Sequence, residues 1–232
     1  MLDIDNAFSE WFPKLNFSLT DFQKRVIENV SENGNTLCIL PTGGGKSVIY
    51  WMTALALSGI TIVISPLTAL IEEQAQKIEE QGYEVLKIHG GIPAIKQLKI
   101  LSEFAKGKIS PQFIFLSPEK IATDGYLEFC LRKRKSDIKL LVIDEVHCVS
   151  QWGMSFRPFY RRIPDFMDSL FGKESWCKVL ALTATLNSKE ILDICNFFRI
   201  KKENIIMKDL LMRNGIQLHV NKFKKEEEKT EK

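Results

Sequence analysis

Pro41-Thr42-Gly43-Gly44-Gly45-Lys46-Ser47 stands between a short apolar run, Thr36 to Leu40, and an amphipathic stretch, Lys46 to Leu57. The run reads as a strand and the stretch as a helix. A glycine-rich turn between them is the arrangement a polyphosphate requires. Glycines let backbone N–H groups crowd around the oxygens, the helix start adds its positive dipole end, and a lysine reaches the outer phosphates. Ser47 offers its hydroxyl to the Mg²⁺ that travels with a nucleotide. The eight-residue form of this pattern has Gly where this chain has Leu40. Strand, loop and helix nonetheless arrive in the expected order.

A second segment, Leu140-Leu141-Val142-Ile143-Asp144-Glu145-Val146-His147, gives the loop its partner. Four consecutive apolar residues suit a strand buried on both faces of a parallel sheet. Acids at the carboxyl end of such a strand fall where ligands bind in open α/β sheets. Asp144 is placed to hold Mg²⁺ through its water shell, and Glu145 to polarise an attacking water. Together the two segments imply hydrolysis of a nucleoside triphosphate.

Length and composition set the frame. A chain of 232 residues with 45% hydrophobic content supports one α/β domain with a full core. The five cysteines, Cys38, Cys130, Cys148, Cys177 and Cys195, show no CxxC spacing. They read as reduced thiols with no zinc site. No apolar run approaches a membrane span, and Met1-Leu2-Asp3-Ile4-Asp5 is acidic, unlike a signal peptide. A net charge of +3 excludes a passive nucleic-acid coat, so any such contact is local.

Strand-length runs alternate with helical patterns along the chain. Strands are expected at Thr36–Leu40, Thr61–Ser65, Val85–His89, Gln112–Leu116, Leu140–Asp144 and Val179–Thr183. Helices are expected at Lys46–Leu57, Leu67–Gln81, Pro93–Lys106, Tyr126–Arg132, Phe159–Leu170 and Ser188–Phe198, with one before the first strand at Thr20 to Ser31. This alternation predicts a parallel sheet covered by helices on both faces. The basic run Arg132-Lys133-Arg134-Lys135 reads as a helix end that compensates the dipole. Lys224 to Lys232 contains no apolar residue and reads as a solvated tail.

Several strand ends carry polar groups suited to a sugar-phosphate backbone. Ser65-Pro66-Leu67-Thr68-Ala69-Leu70 and Leu116-Ser117-Pro118-Glu119-Lys120 present hydroxyls and helix-start N–H groups, and His89-Gly90-Gly91 leaves room for another backbone. Such Ser-Pro turns also serve as plain helix starts. Ala181-Leu182-Thr183-Ala184-Thr185 ends the last strand. If that strand lies beside the one bearing Asp144 and Glu145, Thr183 and Thr185 can bond the acidic loop. The segment from His147 to Tyr160 places Trp152, Phe156, Phe159, Tyr160 and Arg157 in a loop that starts at the acids. Aromatics in a loop usually form a satellite core, but each exposed ring can stack a base for about 1–3 kcal/mol.

Taken together, Pro-Thr-Gly-Gly-Gly-Lys-Ser, Ser-Pro-Leu-Thr-Ala-Leu, Asp-Glu-Val-His, Ser-Gln-Trp-Gly-x-x-Phe-Arg-Pro and Ala-Leu-Thr-Ala-Thr resemble the first RecA-like lobe of RecQ-type DNA helicases of superfamily two, from about residue 17 to 223. The resemblance implies a RecA-like P-loop fold with a short N-terminal helical extension. It also implies ATP and Mg²⁺ as cofactors, and 3′→5′ translocation on single-stranded DNA with duplex unwinding. By it, Thr42, Gly43, Gly44, Gly45, Lys46 and Ser47 hold the phosphates, and Ser47 and Asp144 serve Mg²⁺. Glu145 serves the water, and Gln23 of Leu19-Thr20-Asp21-Phe22-Gln23 reads adenine. His147, Gln151, Trp152, Phe156 and Arg157 couple hydrolysis to DNA. Three segments depart from the family: Met154-Ser155 replaces His-Asp, Thr20 stands where the adenine-reading segment has Arg, and His89-Gly90-Gly91 is more similar to the glycine pair of other helicase families.

The expected division is 1–35 as an N-terminal helical segment, 36–212 as the ATP-binding lobe, and 213–232 as the start of a linker to a second RecA-like lobe that is absent here. That lobe would supply an arginine finger, a group worth about 10³–10⁵ in rate. The expected setting is cytoplasmic and nucleoid-associated in a bacterium, or nuclear in a eukaryote. An RNA helicase of the same superfamily and a non-catalytic ATP-dependent nucleic-acid-binding module remain open alternatives, and a P-loop kinase would leave the aromatic loop unexplained.

Overall fold

The computed structural model describes residues 3–149 and 158–208. In chain order the elements are α1 (Ile4–Trp11), α2 (Asp21–Asn33), β1 (Thr36–Ile39), α3 (Lys46–Ala56), β2 (Ile60–Ile64), α4 (Thr68–Glu80), β3 (Val85–Ile88) and α5 (Ala94–Ala105). They continue with β4 (Phe113–Leu116), α6 (Pro118–Thr123), α7 (Gly125–Lys133), β5 (Ile138–Ile143), α8 (Ile163–Phe171), β6 (Lys178–Thr183), α9 (Ser188–Phe198) and β7 (Ile205–Met207). The strands form one sheet in the order β3-β4-β2-β5-β6-β1-β7, and every pairing is parallel.

Period-two alternation divides each strand between two cores. Leu37, Ile62, Ile114, Leu141 and Val179 face a layer built with α5, α7, α8 and α9. Cys38, Val63, Phe115, Val142 and Leu180 face the layer of α1, α2, α3 and α4. This double burial is why the strands read as unbroken apolar runs.

Local chemistry sets the helix starts. The Thr20 hydroxyl accepts from the Gln23 N–H at 3.3 Å, while Gln23 Oε1 accepts from the Thr20 N–H at 2.8 Å, a reciprocal cap on α2. Asn187 and Glu190 form the same device on α9.

The six expected strands and the helices between them are present, with four differences. Helix α1 was not anticipated. Its signal is Ile4, Ala7 and Phe8 at helical spacing behind an Asp3 cap, over only eight residues. Strand β7 is three residues long and lies in a charged surround. Helix α6 has only six residues. Helix α8 starts at Ile163 after a single 3-10 turn over Pro158–Arg162, because Pro164 suits a first turn and no later position.

The basic run also needs correction. Arg132 and Lys133 lie in the last turn of α7 as expected, but Arg134 is a staple. Its guanidinium donates to Asp137 at 2.5 Å, to the carbonyls of Phe104 and Ile109 at 3.3 Å each, and to the Ser110 hydroxyl at 3.1 Å. It thereby ties the α5–β4 connection to the start of β5. Arg134→Met should destabilise the chain by about 1–3 kcal/mol, through the Ile109 carbonyl left without this donor and the lost tie to Asp137, as read by denaturant unfolding. A change at Lys133, whose ammonium sits over the Phe129 ring at the surface, should stay within about 0.5 kcal/mol.

Candidate nucleotide site at the carboxyl edge of the sheet

Because every strand runs the same way, Leu40, Ser65, His89, Ser117, Asp144 and Thr183 all emerge at one edge. Strand β6 lies between β1 and β5, so the glycine loop and the acids face each other across a single strand, about 10 Å.

The loop is shaped by its glycines. Gly43 and Gly45 have φ of +80° and +84°, which side chains rarely adopt. A Cβ on Gly44 would fall 2.6 Å from Leu40 Cγ, and one on Gly45 would fall 2.3 Å from Gln23 Nε2. Gly45 is also the N-cap of α3, so no side chain covers the first N–H groups of that helix. Those exposed donors and the Cβ-free backbone fit a phosphate chain.

Lys46 folds back over the loop. Its ammonium lies 3.4 Å from the Leu40 carbonyl and 3.7 Å from Glu145 Oε1. Glu145 has φ of +50°, a strained conformation for a non-glycine residue, held here by its contacts. Its other oxygen is 3.2 Å from His147 Nδ1. The bond with His147 keeps its carboxyl below the ordinary range, with Lys46 assisting against burial.

Asp144 goes the other way. Burial, then the charge of Glu145, push it up to about 6, and Lys46 only partly offsets this. Its Oδ1 accepts from the Glu145 N–H at 3.1 Å and its Oδ2 from the Ser65 hydroxyl at 3.4 Å. A half-buried carboxyl beside a second acid is the kind of donor set that a hard divalent cation satisfies.

The register between β1 and β6 places Ile39 opposite Thr183, and that between β5 and β6 places Ile143 opposite Ala181. Thr183 therefore stands level with the acidic turn, and its hydroxyl lies 3.1 Å from His147 Nδ1. Cys148 first, and Glu145 after it, raise His147 to about 10. Thr183 passes the chain on, donating to the Thr185 carbonyl at 3.3 Å.

Of the residues singled out in the sequence, Lys46, Asp144, Glu145, His147, Ser65 and Thr183 thus converge, with Thr185 joined through its backbone. Ser65 is 2% exposed and turned inward to Asp144, away from the open edge. Gln23 is committed twice, to the α2 cap and, through Nε2, to the Gly44 carbonyl at 3.2 Å, so it braces the glycine loop. Ser117 and the Gly90 turn line one hollow of about 400 Å³ with Pro66, Thr68 and Lys120, uniting segments read separately in the sequence. Gln151, Trp152, Phe156 and Arg157 lie outside the described residues.

Tyr160 was overlooked as a site residue. It is fully buried and its hydroxyl donates to the Asp144 carbonyl at 3.0 Å, which anchors the far end of the aromatic segment to the acidic turn. Its only sequence signal was membership of that segment.

Comparisons with known proteins agree with this geometry. The DEAD/DEAH box helicase family model matches residues 20–194. The chain is 37% identical over 185 residues to the ATP-dependent DNA helicase RecQ of Bacillus subtilis, covering 79% of this chain and 30% of that protein. It is 35% identical over 196 residues to the RecQ-like DNA helicase blm-1 of Caenorhabditis elegans, covering 83% and 19%. The chain therefore spans about a fifth to a third of the length of these curated relatives. Among solved structures, a hypothetical ATP-dependent RNA helicase from Sulfolobus tokodaii shares the fold at a TM-score of 0.64 with 19% identity, covering 88% of this chain and 56% of that one. With a glycine loop, an Asp-Glu-Val-His turn and a family match that spans most of its length, this chain belongs to the DEAD/DEAH box helicases.

Proposed function

We propose that this chain is the nucleotide-binding lobe of a RecQ-like 3′→5′ DNA helicase, which turns ATP hydrolysis into movement along single-stranded DNA and separation of the duplex. The observation that carries it is the meeting of Lys46 with Glu145 at 3.7 Å, directly beside a half-buried Asp144. Mg²⁺·ATP, when bound, brings the γ-phosphoryl group to be cleaved and a cation that neutralises its developing charge.

The residues divide the remaining work. Thr42, Gly43, Gly44 and Gly45 receive the phosphates on backbone N–H groups, and Lys46 swings from Glu145 to the outer phosphate. Ser47 and Asp144 hold the cation. Glu145 is released from its lysine as Lys46 engages phosphate, keeps its link to His147, and accepts the proton of the attacking water. Gln23 reads adenine from its place against the loop. His147, Thr183 and Thr185 report the state of the acid to β6, while Gln151, Trp152, Phe156 and Arg157 take the contact with DNA. Ser117 and the hollow beside Lys120 receive the sugar-phosphate backbone, with Ser65 acting from beneath through Asp144.

A second RecA-like lobe is the partner that completes the site with an arginine finger. This lobe alone should bind ATP weakly and turn over little. The working place is wherever the DNA is; among the described residues no helix is long and apolar enough to cross a membrane. The same fold in a structure described as an RNA helicase leaves the RNA reading as the alternative, and the aromatic segment favours DNA.

Three measurements test this. By calorimetry, Lys46→Ala should abolish ATP binding, and undiminished affinity would refute the site. Gly45→Ala should weaken ATP binding at least tenfold, because the new methyl meets Gln23 Nε2 and strains a positive φ. In a two-lobed parent, Trp152→Ala or Phe156→Ala should lower ATPase stimulated by single-stranded DNA while sparing the basal rate. Greater stimulation by RNA than by single-stranded DNA would favour the alternative.

A further inference from the structure

Tyr50 lies in the second turn of α3, 2% exposed, with its ring edge-on to Trp51 and Phe115 at centroid distances of 6.3 and 6.5 Å. Shape alone would be served equally by phenylalanine, which brings no hydroxyl into an apolar layer. The hydroxyl is nevertheless used. It donates to Oε1 of Gln74, on α4, at 3.2 Å.

Three surroundings meet at that oxygen. Helical side chains lean over the preceding turn, so the phenol reaches back toward the first turn of α3, which carries Lys46 and Ser47. Ser47 itself stands three residues before Tyr50 on the same helix, where i and i+3 side chains are neighbours. The third is α4 itself, whose chain arrives directly from Ser65, the residue that bonds Asp144.

We propose that Tyr50, latched to Gln74, is a positioning residue that sets Ser47 against Asp144 and makes their spacing depend on the seat of α4. The inference rests on the triphosphate reading above and adds to it a link that bypasses the aromatic segment. Neither residue touches nucleotide. Their effect is on where the serine hydroxyl stands when a cation has to bridge it to Asp144. The strand-end segments that feed α4 are those assigned to nucleic acid. A shift of α4 on strand contact would reach the cation through this hydrogen bond.

The test is binding of a fluorescent ATP analogue to the 232-residue chain, titrated with MgCl₂ and compared with EDTA. Tyr50→Phe should leave affinity in EDTA unchanged and reduce affinity in saturating Mg²⁺ about three- to tenfold, the range of one lost hydrogen bond. Gln74→Ala should reproduce that loss, and the double variant should show no more than either single one. Equal weakening with and without Mg²⁺, accompanied by a lower melting temperature, would mean a packing role only and overturn the proposal. So would additive losses, or wild-type behaviour of Tyr50→Phe in a chain whose Lys46→Ala variant fails to bind. Unimpaired binding by Lys46→Ala would instead remove the triphosphate reading beneath it.

Discussion

A single strand, β6, separates the two that carry the chemistry, and the rest of the site depends on that spacing. Adjacent strands would press the glycine loop onto the acids and leave no room for phosphate. Two intervening strands would put Glu145 beyond the reach of a lysine side chain. With one, Lys46 spans the gap, and Thr183 at the end of the intervening strand meets the acidic turn from the side. The order is itself a consequence of parallel pairing. Each crossover must carry a helix, and the helix from β1 to β2 passes over β6 and β5 to land beyond them.

Electrostatics then distinguish two carboxyls that follow one another in the chain. Asp144 loses much of its hydration and rises to about 6; Glu145 is reached by His147 and Lys46 and is held down. The strained φ of Glu145 turns its side chain out of the strand line and toward those partners. Placed on an ordinary extended strand, successive side chains would point to opposite faces of the sheet and could not share one site. The backbone strain is thus tied to the division of labour between the acids.

Much of this was visible in the sequence because the governing patterns are local. Strand runs buried on both faces are continuous in apolar character, and the glycine loop and Asp-Glu-Val-His are contiguous words. Thr183 was readable only conditionally, since its partner depends on strand order. The elements that escaped are short or masked by charge. Helix α1 sits at the start of the chain, and β7 contributes three residues between lysines. Arg134 shows the limit of reading charge by position: a basic run after a helix suggested dipole compensation, whereas three of its four acceptors lie 24 to 30 residues away in α5 and the chain leading to β4. Ser65 shows the same limit in reverse. The Ser-Pro turn is local and was read correctly as a strand end, but its inward aim toward Asp144 arises from the neighbouring strand β5.

Gln23 and Tyr160 reveal how the site is held from outside the sheet edge. Gln23 uses its carbonyl to cap α2 and its amide to support the glycine loop, so the helix before the first strand has a direct hold on the phosphate cradle. Tyr160 holds the acidic turn from the opposite flank. Movement of α2 would therefore reach the Gly44 carbonyl through one side chain, so the shape of the phosphate cradle depends on how the helix before it is seated.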